Sequence, residues 1–345
     1  MPRNPLDAHP PWRQLVIVSA VVPILLTLAV LAFTWPASRT APNRLPLGIV
    51  STGTASQKAG LALSRSGFEL HLYPTEAAAR TGIADRDVYG ALDVAPTGVT
   101  VLTASAASPA VAQILTTAAD KLAVPVTVDD VVPTSPHDPK GAVFASTVLP
   151  LVLGGEILAV VIAALVGFAP AWRQTVALAL GAAGIGAGAY AVVQGFLGAL
   201  PGDAWATWGA LAAMVFAIAA ATAGLFDLIG GAGIGIVAAT MIFVGNPFSG
   251  VTSAPDLLPS PVNRLGQWLP PGAGGNLLRD TAYFGGHGAT TPVIVLAAWS
   301  VAGLAAIVLG HRYTGRHAVH HLGGTGPASA ATTSLQDDLG HALVP

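Results

Sequence analysis

The chain has 345 residues, of which 53% are hydrophobic and 9% are charged, and its formal net charge is −2. A soluble domain carries roughly 25% charged residues, so this composition predicts an integral membrane protein. The near-neutral charge and the lack of a basic patch interleaved with aromatic residues give no reason to expect nucleic-acid binding. The sequence has no cysteine, which excludes disulfides, thiolate metal sites and cysteine nucleophiles.

The first apolar segment, residues 15–35, follows a short polar stretch, residues 1–14, that contains Arg3 and Arg13. It has no charged side chain and is close to the ~20 residues that a helix needs to cross a bilayer. A cleaved signal peptide has a shorter apolar region of roughly 7–15 residues and a small-residue cleavage site. The pattern therefore favours an uncleaved membrane anchor, TM1, rather than a signal peptide.

Residues 36–142 have the composition of a soluble domain. Buried and alternating apolar patterns predict strands over residues 45–51, 68–73, 88–94, 98–104 and 124–132. Helices are expected over residues 56–66, 75–84 and 108–122, the last opened by Ser108 as N-cap and Pro109 as first helical residue. Alternating strands and helices predict a small α/β domain inserted after the first span.

Five further apolar segments predict a transmembrane domain over residues 143–311. The expected spans are TM2 (143–168), TM3 (175–200), TM4 (205–225), TM5 (228–244) and TM6 (291–310). Six crossings put both termini on one side, together with the arginines Arg3, Arg13, Arg173, Arg312 and Arg316. The positive-inside rule makes that side cytoplasmic, so the α/β domain is expected outside and residues 312–345 form a cytoplasmic tail.

The segment between TM5 and TM6, residues 245–290 and called here the outer segment, is rich in proline. It cannot be one helix, because proline removes a backbone donor and clashes with the preceding turn. Short helices are predicted over residues 261–268 and 276–283, lying at the membrane surface or dipping into it. Non-helical backbone at membrane depth survives only where protein buries it or water reaches it.

Three side chains of the outer segment are predicted to anchor it at the membrane interface. Trp268 has the amphipathic ring that is typical of interfacial positions. Arg264 and Arg279 lie on the predicted outer side, where they would anchor the segment or contact an anionic lipid head group or a substrate phosphate. The sequence leaves these two roles of the arginines open.

Glu156 is the only acidic residue deep within an apolar run. Placing a charge at the bilayer centre costs from ~3 kcal/mol upward, so this side chain is expected to face protein or water, or to be protonated. It is a candidate for proton coupling or substrate contact, and a buried hydrogen-bonding role is the alternative. Gln194 is a second candidate, for which a bond between helices is the alternative.

Other patterns predict no catalysis, no cofactor and no metal site. The glycine-rich run at residues 181–188 indicates close helix packing, with Gly184 and Gly188 at the four-residue spacing of a contact face. No GxxxxGK[ST] phosphate loop occurs. Spacing gives no Ser/His/Asp or paired-carboxylate arrangement, so the protein is not expected to be an enzyme. The histidines near the C-terminal end are expected to be solvated: His311, His317, His320 and His321.

This arrangement resembles the ABC-2 type permease superfamily, especially its phage-infection-protein-like branch. LPLGIVS (residues 45–51) is similar to the motif that opens the outer domain in that family, and YGALDVAP (residues 89–96) is similar to a later strand. In the outer segment the family's typical residues stand in order, namely Gly250, Pro255, Leu258, Pro259, Trp268, Pro270, Leu278 and Arg279. The resemblance covers residues from about 15 to 311.

The resemblance implies that the outer segment is a re-entrant pair of short helices that caps a transport pathway, and that two subunits pair as a homodimer. Related permeases export lipids, glycolipids, polymers or hydrophobic drugs with a separate ATPase. The cytoplasmic connections at residues 169–174 and 226–227 are short, so an ATPase would find little surface to bind.

The expected function is therefore export or flipping of a hydrophobic or amphipathic substrate across a bacterial plasma membrane, in contact with membrane lipids. The bacterial assignment follows from the abundance of alanine and glycine and the preference for arginine over lysine, which are typical of GC-rich genomes. The alternative is a non-transporting cell-surface receptor or envelope assembly scaffold that binds through the outer domain.

Overall fold

The computed structural model describes residues 12–50, 64–95, 98–121, 124–166 and 169–323 of the chain. Its first helix, α1 (Trp12–Ala37), is long and apolar enough to cross a membrane. The most apolar window of this helix is 0% buried within the described structure. Residues 240–245 are among its few neighbours, so most of the apolar surface of α1 has to be covered by lipid or by another protein.

Five strands follow and form one sheet in the order β2-β1-β3-β4-β5. β1 runs parallel to β2 and β3, whereas β4 is antiparallel to β3 and parallel to β5. All five overlap the predicted strands, and their bounds are β1 (Leu45–Val50), β2 (Phe68–Tyr73), β3 (Gly90–Ala95), β4 (Gly98–Thr103) and β5 (Val126–Asp130).

Two helices belong to the same unit, α2 (Glu76–Ala84) and α3 (Pro109–Ala119). The Ser108 side chain accepts a hydrogen bond from the Val111 N–H, with Pro109 in the first turn, as the sequence predicts. The predicted helix over residues 56–66 falls mainly on residues 51–63, outside the described residues. The five strands with α2 and α3 are called the sheet unit below.

Three long helices follow the sheet unit: α4 (Ala142–Val166), α5 (Ala171–Tyr190) and α6 (Ala204–Ile229). A π-helical stretch, Ala191–Phe196, prolongs α5. α6 is the central helix, because 67% of its most apolar window is buried and the other long helices of the bundle pack around it. All three are long and apolar enough to cross a membrane.

The packing glycines of α5 differ from the predicted ones. A Cβ built on Gly184 or Gly188 meets no described atom within 4 Å, whereas one on Gly186 lies 2.9–3.0 Å from Ala212. Gly186 continues the buried face of Gln174, Leu178 and Ala182 at four-residue spacing. The glycine spacing was interpreted correctly as a packing signal, but on the wrong face of the helix.

The predicted fifth span, residues 228–244, begins later than expected and is short. α6 runs to Ile229, and Gly230 has a positive φ of 71° that ends the helix. The next helix consists of nine α-helical residues, α7 (Gly231–Ala239), and six π-helical residues, Thr240–Gly245. This is shorter than the ~20 residues of a typical span. Among the described residues, the structure therefore has five helices long enough to cross a membrane, which agrees with a polytopic helical membrane protein, and one shorter apolar helix.

The outer segment folds back along the bundle. It contains a 3₁₀ turn (Pro255–Leu257), the short helix α8 (Val262–Gln267) and α9 (Pro270–Tyr283), and it leads into the last long helix, α10 (Thr290–Gly323). α9 is longer than the predicted helix over residues 276–283, since Pro270 and Pro271 occupy its first turn, where the missing N–H groups have no helical partner anyway.

α9 lies along the first half of α6. A Cβ on Gly274 would meet the Met214 side chain, and one on Gly202, just before α6, would meet the backbone of Thr281 and Ala282. Met214 is ten residues into α6. At 1.5 Å per residue, α9 therefore follows α6 for about 15 Å.

The sheet unit rests on the outer segment. The Ala41 and Asn43 N–H groups donate to the carbonyls of Leu257 and Asp256, and the Ser108 hydroxyl donates to the Ser253 carbonyl at 2.6 Å. Leu257 is buried in the same apolar cluster as residues of β1 and β4. The outer segment thus contacts the bundle on one side and the sheet unit on the other.

The contact between α5 and α6 gives a first prediction. Gly186→Val is expected to lower the thermal unfolding midpoint of the detergent-solubilised protein, because its Cβ would crowd the Ala212 backbone and overpacking costs about 1–3 kcal/mol. Gly184→Val, two residues away, changes helix propensity alone and is the matched control. An equal decrease of the unfolding midpoint in both variants would contradict the contact of Gly186 with Ala212.

Candidate functional site: a polar cavity beneath the sheet unit

A cavity of about 320 Å³ with both polar and apolar residues in its wall lies where the sheet unit meets the outer segment, and it is called here the junction cavity. The sheet unit contributes residues from the turn after α2 and from the entry to β3. The outer segment contributes its 3₁₀ turn and one face of α8 and α9. The polar residues that matter most in its wall are Arg86, Tyr89, Asp256, Gln267, Asn276 and Asp280.

An ion pair between Arg86 and Asp280 joins the two sides of the cavity. The Asp280 side chain is 2% exposed and that of Arg86 14% exposed, so the pair is shielded from solvent. Burial raises the pKa of Asp280, and the positive charge of Arg86 opposes that shift. Arg86 also lies over the Phe284 ring, 5.1 Å from its centroid, which fixes the guanidinium against the end of α9.

A second polar contact lies close by. The Tyr89 hydroxyl donates a hydrogen bond to Asp256 at 3.0 Å. Burial raises the pKa of Asp256, while the bond from Tyr89 lowers it. Burial also raises the pKa of Tyr89 far above its usual range, so the phenol stays a hydrogen-bond donor. The pair ties the entry to β3 to the 3₁₀ turn of the outer segment.

Arg279, which the sequence predicts as an anchor at the membrane interface, is buried within the protein. Its side chain is 2% exposed, and it donates to the Val251 carbonyl at 3.1 Å. The guanidinium lies over the Phe144 ring at 4.6 Å from the centroid. The prediction was wrong because Arg279 points into the bundle, where it braces α9 against α4 and the preceding loop. A lipid head group cannot reach it there.

Two amides extend this network along the floor of the cavity. The Asn276 side chain donates to Gln267 Oε1, and the Gln267 amide donates to the Ser249 carbonyl at 2.9 Å. These bonds connect α8, α9 and the loop before them through side chains. Side chains of the protein thereby supply hydrogen-bond partners to the outer segment, including one for its non-helical backbone at Ser249. Buried polar groups are almost always hydrogen-bonded in this way.

The remaining predicted residues lie apart from the cavity. Glu156 is twelve residues beyond Phe144 on α4, about 18 Å further along the helix axis. Gln194 Oε1 accepts a hydrogen bond from the Leu200 N–H at 2.8 Å, which closes the turn after the π-helical stretch. Trp268 and Arg264 are both exposed, as interfacial anchors have to be, and their anchoring stays a prediction.

Sequence reasoning missed Arg86, Tyr89, Asp256 and Asp280. Asp280 directly follows Arg279, and two adjacent charges within a segment enclosed by apolar spans were the available signal. Arg86 carries a positive φ of 67°, which the sequence does not reveal. The partners of each pair are separated by 194 and 167 residues, so spacing along the chain could not have joined them.

The cavity wall favours a particular chemistry. Among the described residues that line it, three carboxylates, Asp87, Asp256 and Asp280, face one arginine, Arg86. Because Arg86 is already paired with Asp280, the remaining wall is negative and rich in hydrogen-bonding groups. It suits a polar group that carries hydroxyls or a positive charge.

Comparisons of this chain with protein-family models, with curated proteins and with solved structures find no match. The candidate site therefore rests on its own geometry.

The buried ion pair gives a second prediction. Arg86→Met leaves Asp280 buried without its cation and is expected to lower the free energy of unfolding by about 3–5 kcal/mol. Arg44→Met is the matched control, since Arg44 also has a positive φ and pairs with Glu69 at an exposed site. Arg44→Met is expected to lower the free energy of unfolding by about 0–1 kcal/mol, because the Arg44–Glu69 pair is exposed. Chemical unfolding of both variants measures the difference, and similar losses would contradict the role given to Arg86.

Proposed function

We propose that this protein is a membrane transport protein of the ABC-2 permease type, which exports or flips a hydrophobic or amphipathic molecule across a bacterial plasma membrane. The observation that carries the proposal is the outer segment, which folds back along α6 and forms the floor of the junction cavity. Pairing of two copies would cover part of the exposed apolar surface of α1, so a homodimer belongs to the proposal.

The buried outer segment supports a transport pathway better than a passive surface loop. A segment that only connects two helices could lie on the protein surface. The outer segment instead packs α9 against α6 and places Arg279 over the Phe144 ring. Irregular backbone at membrane depth is tolerated where protein buries it or where it lines a water-filled cavity. Both conditions hold for a re-entrant segment that closes the outer end of a pathway.

The molecule offers contacts for both parts of an amphipathic substrate. The junction cavity provides carboxylates, amides and a phenol for a polar head group. A groove of about 620 Å³ between α1 and residues 239–244 is almost entirely apolar and suits hydrocarbon chains. Pockets that bind small molecules usually combine an apolar wall with a few placed polar groups.

The proposed topology keeps six crossings, with the short helix α7 as part of the fifth. A Cβ on Gly233 would meet the backbone of Leu225 and Phe226, near the end of α6, and one on Gly245 would contact Pro271 of α9. The outer segment then completes the crossing that α7 begins. This arrangement leaves both termini cytoplasmic and the sheet unit outside, in line with the arginine distribution.

The energy source proposed is a proton gradient and not a bound ATPase. α6 and α7 are joined at the single residue Gly230, and α5 begins at Ala171, five residues after α4 ends. Such short connections give a separate ATPase little surface for binding. The sequence, moreover, contains no phosphate loop of its own.

A blocked cavity tests the transport proposal. Thr291 lines the junction cavity and is exposed, so Thr291→Trp fills the cavity without disturbing a core contact. The variant is expected to slow the movement of a fluorescent phospholipid across proteoliposomes severalfold. Thr117→Trp, on the exposed face of α3, is the matched control and should move lipid at the wild-type rate.

The assay is run with and without an imposed proton gradient, and a fluorescent hydrophobic drug serves as a second probe. If wild-type protein moves neither probe under either condition, the transport proposal is wrong. That result favours the receptor or scaffold, for which the cavity would bind a partner and not a cargo.

A further inference from the structure

Glu156 is enclosed between α4 and α6. Its side chain is 6% exposed, and the neighbouring Gly155 brings the two helices together, because a Cβ there would lie 3.0 Å from the Val215 carbonyl and from Ile218. Thr222, on the facing side of α6, is fully buried and within hydrogen-bond distance of the carboxyl group. The acid is thus buried in the contact between α4 and α6.

Thr222 is the only hydrogen-bond partner of the acid among the described residues. The Thr222 oxygen lies 2.9 Å from the Ile218 carbonyl and 3.0 Å from Glu156 Oε2. A hydroxyl has one proton to donate, and both a backbone carbonyl and an ionised carboxylate are acceptors only. The hydroxyl can donate to Glu156 Oε2, because the Ile218 carbonyl also accepts the backbone N–H of Thr222 within the helix. A protonated Glu156 can instead donate to the Thr222 oxygen while the hydroxyl donates to Ile218.

The second oxygen of the acid indicates that the buried group is protonated. Glu156 Oε1 is buried and has no hydrogen-bond partner among the described residues. An unpartnered oxygen is tolerable on a neutral acid, but an ionised carboxylate with a single hydrogen bond and no cation is costly to bury and tends to neutralise instead.

No positive charge compensates Glu156 within the described part of the chain. The elements packed against α4 are α5 with its π-helical extension, α6, α7 with residues 240–245, and α9. Their charged and titratable groups are Arg173, Tyr190, Asp227, Arg279, Asp280 and Tyr283. None of these forms a salt bridge or a hydrogen bond with Glu156 in the described structure. Arg279 and Arg173 lie towards opposite ends of the bundle.

We propose that Glu156 binds the proton that drives transport, and that the structure holds it in the occluded, proton-loaded state. This step rests on the transport function proposed above. Opening the contact between α4 and α6 on one side lets water take the proton from the carboxylic acid, leaving the carboxylate. Opening towards the other side lets water return a proton to the carboxylate. One proton crosses for each cycle, and Thr222 is the positioning residue that orients the acid.

Infrared spectroscopy of the full-length protein in liposomes tests the proton directly. The wild type is expected to show a carbonyl stretching band of a protonated carboxylic acid at neutral pH that Glu156→Gln lacks. Thr222→Val removes the hydrogen-bond partner of the acid and should shift that band to higher frequency. Thr147→Val is the matched control, because Thr147 is also buried on α4 and donates to the carbonyl four residues back, without an acid beside it. A neutral-pH spectrum that Glu156→Gln leaves unchanged would overturn the assignment.

Transport of the fluorescent phospholipid then tests coupling. A proton gradient is expected to accelerate wild-type transport severalfold and to leave Glu156→Gln unaffected, since the amide cannot release a proton. Gradient stimulation that survives in Glu156→Gln would refute the coupling role even if the infrared band is present. If the band is present but the wild type moves no probe, the transport function fails, and the coupling role fails with it.

Discussion

The structure depends on one constraint, which is that the outer segment must satisfy its polar groups from within the protein. The segment is too rich in proline to form one helix, yet α9 and its neighbouring loops are largely buried. Arg279 bonds to a loop carbonyl and stacks on Phe144, and Asp280 pairs with Arg86 of the sheet unit. Without these partners, burial of a charged and irregular stretch would be strongly unfavourable.

The same contacts link the two halves of the molecule. Asp280 and Asp256 each receive a partner from the sheet unit, while Gly274 and Arg279 hold α9 against the bundle. A displacement of the sheet unit would therefore pull on α9, and α9 lies against α6. Because α6 also contacts Glu156 through Thr222, a chain of packed residues runs from the junction cavity to the buried acid. Contiguous packing of this kind can carry energetic coupling between two sites.

Local patterns predicted individual elements well and their faces less well. The strands and the N-cap at Ser108 lie where alternation and capping chemistry placed them, since both depend on near neighbours in the chain. The glycine signal in α5 was real, but Gly186 and not Gly184 makes the contact, because the partner helix decides which face is buried. The reversal between the fourth and fifth spans was predicted at residues 226–227 and lies at Gly230, because a continuous apolar run does not reveal where the backbone turns.

By itself, the sequence determined that the chain is apolar enough for a membrane, which long segments form helices and which short ones form strands. These properties follow from composition and periodicity within a few residues. Only the tertiary structure decided that Arg86 meets Asp280, that Arg279 points inward and that Glu156 faces Thr222. The physical reason is that a buried charge is stabilised by whichever group the fold brings within hydrogen-bond distance, and that group lies far away along the chain.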